Sequence, residues 1–227
     1  MKRRNQQLII IVGIVVVAVV AAVVLILLSG NTQSSGIDFS KLQPTRRPDG
    51  GFVIGNPNAP VTIVEFADFA CPHCDEYKPE IDQFITNYVA TGKARYEYRT
   101  FPTAGGPLTT FAGHIAECID DQKPGAFWPT AEVLYQYGAT GRYDQTMGKA
   151  VAQQEGVDYA KVLDCLNTAG QVEKDVALGQ GFGVTGTPAV AVRYSDDKLQ
   201  WISIGGQNYD RGGVPYSVLA QVVTQSG

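Results

Sequence analysis

Residues 8–28, LIIIVGIVVVAVVAAVVLILL, form 21 consecutive positions without a charge or a polar side chain. As a helix rising about 1.5 Å per residue, this run spans roughly the 30 Å hydrocarbon core of a bilayer. A secretory signal has a shorter apolar region and a small-x-small cleavage site, whereas this run ends in Leu27-Leu28-Ser29-Gly30-Asn31. The expectation is an uncleaved single-span anchor, with a cleaved signal as the alternative. Lys2, Arg3 and Arg4 precede the run and the next basic residue is Lys41, so the positive-inside bias places residues 1–7 in the cytoplasm. Either reading exports the rest of the chain. Subtracting the three N-terminal positive charges from a net charge of −4 leaves −7 on the remainder. That excess of acid argues against a nucleic-acid-binding surface.

Residues 29–50 are rich in Ser, Gly, Asn, Gln and Pro and read as a flexible linker. A single domain is then expected over 51–227. Val61–Phe66 is a β-branched run that reads as a buried strand. A helix follows to about Val89, with Tyr77, Ile81, Phe84, Ile85 and Tyr88 at spacings of three and four, and Gly92 ends it. Residues 94–101 read as a second strand, and strand, helix, strand is a βαβ unit, for which parallel strands are expected. Residues 107–180 are helical by pattern. Asp144 and Asp158 are candidate caps, and Gly138 and Gly156 candidate stops. Strands return at Ala189–Tyr194 and Trp201–Ile204, joined by a hairpin turn at residues 195–198, and a last helix covers about 215–225. The fold class is α/β with a helical insertion at about 107–180.

Cys71-Pro72-His73-Cys74 lies where the first strand ends and the helix begins. Helix N–H groups and the positive end of the dipole favour negative charge on a sulfur there. Pro72 suits the first turn, where its missing N–H costs little, and His73 adds a donor or a positive charge. The alternative is half of a zinc site. The nearest complement is His114 with Cys118, four residues apart on an apolar helix face, which reads better as a helix histidine and a core cysteine. No metal or organic cofactor is implied. The remaining cysteines, Cys118 and Cys165, lie on two predicted helices. An exported location and an even count favour a structural disulfide between them; two separate buried thiols are the alternative.

The stretch Gly55–Cys74, GNPNAPVTIVEFADFACPHC, resembles the opening of a DsbA-like thioredoxin domain, and Gly183–Ala189, GVTGTPA, resembles that family's cis-proline loop. The resemblance covers about 51–225, including the place of the insertion. It implies a thioredoxin fold, an attacking and exposed Cys71, a buried resolving Cys74, and a cis bond before Pro188 lying against the pair. It also implies that Glu65 is the family's buried acid. An acid inside an apolar strand agrees with that role, and an edge-facing strand acid is the alternative. Thr187 stands where the best-known oxidase has valine, and threonine there is shared with isomerases. The implied function is an extracytoplasmic thiol–disulfide oxidoreductase that introduces disulfides into exported proteins. Such an enzyme is reoxidised by a quinone-linked membrane protein, DsbB-like or vitamin K epoxide reductase-like. A disulfide reductase or isomerase is the second reading, and a non-catalytic thioredoxin-like binding module the third.

Overall fold

The computed structural model describes residues 36–195 and 197–226. The apolar run at 8–28 lies outside the described residues, as does Asp196 of the expected hairpin turn. Among the described residues, no helix is long and apolar enough to cross a membrane.

The expected strand, helix and strand are present as β3 (Thr62–Ala67), α1 (Pro72–Phe84) and β4 (Arg95–Thr100). β3 and β4 pair in parallel, with Glu65 opposite Tyr98 and Val64 opposite Glu97. Cys71 is the N-cap of α1 and Pro72 its first residue. Cys74, Tyr77, Ile81 and Phe84 form its buried stripe. The helix runs on through a single π turn, Ile85–Val89, before Gly92 turns the chain at φ +76°.

The insertion consists of α2 (Pro107–Gln122), α3 (Phe127–Ala139), α4 (Met147–Glu155), α5 (Tyr159–Cys165) and α6 (Gln171–Phe182). Asp158 caps α5 by accepting from Ala160 N, and Gly156 closes α4 in the left-handed region. Cys118 on α2 and Cys165 on α5 are joined in a disulfide with Cα atoms 5.7 Å apart. β5 (Ala189–Arg193), antiparallel to β3, pairs in turn with β6 (Leu199–Ile204), and α7 (Tyr216–Gln225) ends the described chain.

Three strands were not expected from the sequence. β1 (Thr45–Arg46) and β2 (Phe52–Gly55) extend one side of the sheet and β7 (Gln207–Tyr209) the other, in the order β1-β2-β4-β3-β5-β6-β7. Residues 36–50 therefore depart from the flexible-linker reading. Phe39–Lys41 form a 3₁₀ turn, Leu42 is buried, and β1 is held by pairing with β2.

The sheet separates two unlike layers. On one face α1, α3 and α7 pack over a large apolar core that includes Ile63, Phe69, Tyr96, Tyr98, Phe127, Leu134 and Leu219. On the other, α6 covers a smaller cluster around Val64, Phe66, Phe101 and Ala191. Beside that cluster lies a charged layer. Arg99, fully buried, donates to Glu97 at 2.7 Å, Asp175 at 2.9 Å and Asp49 at 2.9 Å. Gly51 is required here, because a Cβ would overlap the Arg99 guanidinium.

Candidate active site

The β3–α1 turn delivers the cysteine pair. Cys71 N donates to Asp68 O at 3.0 Å, and Cys71 O accepts from Cys74 N and Asp75 N as the first turn of α1 closes. Both cysteines are free thiols. The expectation of an exposed Cys71 needs correction: it is 6% exposed and Cys74 1%. Cys71 is covered by the loop before β5, where its Sγ lies 3.5 Å from Thr187 O as donor. The Thr187–Pro188 bond in that loop is cis.

A cleft of about 570 Å³ is lined by His73, Glu76, Tyr77, Thr187, Pro188 and Gly213, among others. Its far wall is fastened by Tyr77, whose hydroxyl donates to Val214 O at 2.7 Å, and a Cβ on Gly213 would overlap the Tyr77 ring. His73 projects into solvent, with its Nδ1 3.2 Å from Glu76 Oε2. The electrostatic help expected from His73 is thus shared with a carboxylate.

Beneath Cys74 lies Glu65, 3% exposed and hydrogen-bonded by the Tyr96 hydroxyl. Glu65 and Cys74 line one small cavity of about 30 Å³, together with Lys78, Asp82, Tyr98, Glu132 and Tyr135. That volume accommodates one or two water molecules. Burial pushes the Glu65 carboxyl up from 4.5 to about 7, and the Tyr96 hydrogen bond and the Lys78 charge oppose it only in part. Burial, then the negative charge of Glu65, push the Cys74 thiol far above the ordinary thiol range. A thiolate formed at Cys74 therefore takes up a proton, and Glu65 titrates where a proton donor at neutral pH should.

Sequence reasoning missed three residues here. Asp68 is fully buried and accepts hydrogen bonds from both sides of the site. Tyr96 and Lys78 act on Glu65. For Tyr96 a signal existed: the alternation of ARYEYRTF places Tyr96 and Tyr98 on the face opposite Arg95, Glu97 and Arg99. The zinc alternative dissolves at its second half, since Cys118 is bonded to Cys165 and His114 Nε2 lies 3.0 Å from Glu173 Oε2. Among the described residues, no group of three or more His, Cys, Asp or Glu side chains is arranged to hold a metal ion.

Comparison with known proteins adds to this geometry. A family model described as thioredoxin matches residues 48–197. Disulfide bond formation protein D of Bacillus subtilis is 29% identical over 179 residues, covering 74% of this chain and 77% of that protein. The Na(+)/H(+) antiporter NhaA 3 of Salinispora tropica is 31% identical over 147 residues, which are 64% of this chain but 22% of the antiporter. The chain thus spans about a fifth of that relative's length. Among solved structures, a thioredoxin-like oxidoreductase from Silicibacter pomeroyi DSS-3 superposes with a TM-score of 0.62 at 26% identity, covering 79% of this chain and 92% of that one.

Proposed function

The chain belongs to the thioredoxin family, and from that premise we propose that it is an extracytoplasmic thiol–disulfide oxidoreductase that introduces disulfides into exported proteins. The observation that carries this reading is the stacking of three groups: Cys71 at a helix N-terminus against the Thr187 carbonyl, Cys74 behind it, and Glu65 beneath Cys74. Similarity to a disulfide bond formation protein over three quarters of both chains supports the same chemistry. Export is supported by the N-terminal apolar run behind three basic residues and by the Cys118–Cys165 bridge, of a kind that persists in oxidising compartments.

In the oxidised enzyme a client thiolate attacks Cys71 Sγ and expels Cys74 as a thiolate, which takes a proton from Glu65, directly or through water in the shared cavity. A second client thiolate then attacks the client sulfur of the mixed disulfide and releases Cys71. Two client thiols become one disulfide, and the enzyme disulfide becomes two thiols. A separate quinone-linked membrane oxidoreductase, DsbB-like or vitamin K epoxide reductase-like, returns the pair to the disulfide. Pro72 and Pro188 shape the two loops that face each other across the pair.

One observation favours the second reading, a reductase or isomerase. Glu76 beside His73 offsets the positive charge that would make the pair strongly oxidising. The reduction potential decides. An oxidase should lie above about −180 mV, the value typical of protein disulfide isomerase, whereas a value near thioredoxin's, about −270 mV, overturns the oxidase reading. The oxidised protein should also restore activity to a reduced, unfolded disulfide-containing client, and a Cys71→Ser variant should not. For location, protease added to intact spheroplasts expressing the chain should remove the domain; a protected domain overturns export.

A further inference from the structure

We infer that the cleft at the far end of the sheet from the cysteine pair binds a phosphate-type oxyanion, free or carried on a lipid headgroup, with Arg95 as its anchor and Arg47 as its second cation. This goes beyond the oxidoreductase reading and does not depend on it.

Cys71 follows the end of β3, whereas this cleft opens where β3 begins. Thr62, the first residue of β3, lies opposite Arg95 on β4 and Arg193 on β5. A space of about 370 Å³ there is walled by Arg47, Arg95, Pro57, Pro60, Tyr194 and Ser195, among others.

Four arginines gather at this end of the sheet, and three of them are answered by carboxylates. Arg46 Nη1 donates to Asp121 at 3.0 Å, and Arg193 Nε donates to Glu97 at 3.2 Å. Arg47 holds both oxygens of Asp197, through Nη1 at 2.9 Å and Nη2 at 2.6 Å. Arg95, half-buried, meets no carboxylate among the described residues, and its buried Nε has no acceptor. A buried guanidinium N–H without an acceptor is costly and calls for an oxygen from outside the chain. Burial and the Arg47 charge both act against the charge on Arg95, and Glu97 and Asp197 oppose them only in part. The local field therefore favours an added anion.

The chemistry of that anion follows from its partners. A guanidinium fork matches two oxygens of a carboxylate or a phosphate. A carboxylate is spent on one fork, as that of Asp197 is on Arg47. A phosphate group keeps a further oxygen for a second guanidinium, so it can meet Arg95 and Arg47 together. Asp197 is the group that has to give way. Its side chain is 61% exposed, so leaving Arg47 costs little. Its backbone can stay in place, because Asp197 N donates to Tyr194 O and Asp197 O accepts from Arg193 Nη1, each at 2.9 Å. Asp197 thus competes with the ligand for Arg47.

The test follows the arginine Nε–H resonances of the full-length chain in nanodiscs of phosphatidylcholine, as inorganic phosphate replaces chloride at constant ionic strength. The Arg95 and Arg47 resonances should move together and saturate. Arg95→Gln should weaken phosphate binding at Arg47 by about tenfold or more, the scale of a lost charge-assisted hydrogen bond. Asp197→Asn should tighten it by about two- to fivefold, the worth of an exposed ion pair. Asparagine tolerates the left-handed φ of +58° at this position, so the turn is kept. Asp164→Asn, an exposed acid on α5, removes the same charge and should leave the affinity where it is. Phosphatidylglycerol added to the discs separates the two sources. Shifts that appear without free phosphate identify a headgroup, and shifts that need free phosphate identify a soluble ligand. Resonances that move with neither, or that move without saturating, overturn the inference. So do equal gains in affinity from Asp197→Asn and Asp164→Asn, which would show general surface charge only. Arg95→Gln should leave the equilibrium of the Cys71–Cys74 pair with glutathione unmoved. A wild-type pair that does not equilibrate with glutathione overturns the oxidoreductase reading and leaves this inference standing.

Discussion

Glu65 on β3 and Glu97 on β4 are buried glutamates on neighbouring strands, one register position apart and on opposite faces of the sheet. Glu97 meets the Arg99 Nε at 2.7 Å and the Arg193 Nε at 3.2 Å, inside a layer that also holds Asp175 and Asp49. Glu65 receives one hydroxyl, from Tyr96. The cation nearest to it in the cavity, Lys78, is engaged by Asp82 at 2.9 Å and Glu132 at 2.7 Å. The same side chain at nearly the same depth therefore has two fates. A carboxylate met by guanidinium groups is structure. A carboxylate left short of positive charge has its titration carried to about 7 by burial, and it sits behind a thiol that needs a proton. Asp68 is a third case, compensated entirely by neutral donors.

The largest effect is expected on the ionic face. Arg99→Met leaves Glu97 and Asp175 buried without their shared partner and should cost about 3–5 kcal/mol in urea denaturation. The glutathione equilibrium of the Cys71–Cys74 pair should stay where it is. A stability loss below about 1 kcal/mol, the scale of an exposed ion pair, would mean the layer is not what holds α6 to the sheet.

The cysteines divide along the same line. Replacing both Cys118 and Cys165 by Ala opens a bridge across a separation of 47 residues, which should cost about 4 kcal/mol in the chain-entropy account. Redox cycling at Cys71 and Cys74 should persist at temperatures where the variant remains folded. Loss of cycling in the folded variant would show that the insertion bridge takes part in the chemistry.

Glu65→Gln should act with the opposite sign. Glu65 binds its proton more tightly in the folded than in the unfolded chain, so its ionisation subtracts stability as pH rises from about 4.5 through about 7. The amide should therefore be neutral near pH 4 and stabilising above pH 7, by up to about 3 kcal/mol. It should also slow the step that expels Cys74. A variant less stable at pH 8, or one with unaltered exchange kinetics, breaks the contrast with Glu97.

The β3–α1–β4 unit was legible because its two periodicities differ and because a proline and a cysteine mark where one gives way to the other. The insertion was legible from its caps and stops. β1 and β2 were not, since Pro44, Pro48, Gly50, Gly51 and Gly55 punctuate the segment and its order comes from pairing with β4 through β2. Cys71, Cys74 and Pro188 were found together because two motifs, more than 100 residues apart in the chain, belong to one site. Asp68 was invisible for a physical reason. An aspartate just after a strand reads as a solvated turn residue, and its principal donors lie 35 to 41 residues further along. Lys78 shows only its local half: the pairing with Asp82 is a helix i,i+4 contact, whereas Glu132 comes from α3.

Lys78 supplies the smallest and sharpest test of the comparison. Burial works against its charge, but Glu132 and Asp82 outweigh burial and keep it protonated. From that position its positive charge favours the ionised form of Glu65, while the negative charge of Asp82 opposes it. Lys78→Met removes the cation and leaves both acids, so the Glu65 midpoint should move above its present value of about 7. The move should be less than about one pH unit, because the pair acts across a partly solvated cavity rather than in contact. The proton donor behind Cys74 then keeps its proton to higher pH, and the alkaline fall in the exchange rate should move upward by the same amount. Asp82→Asn should move it down. Carbon-13 titration of the Glu65 carboxyl reads the midpoint directly, and the rate profile reads its consequence. If neither variant moves the midpoint, burial alone sets Glu65, and the cation that separates a structural acid from a reactive one has to be in direct contact, as Arg99 is with Glu97.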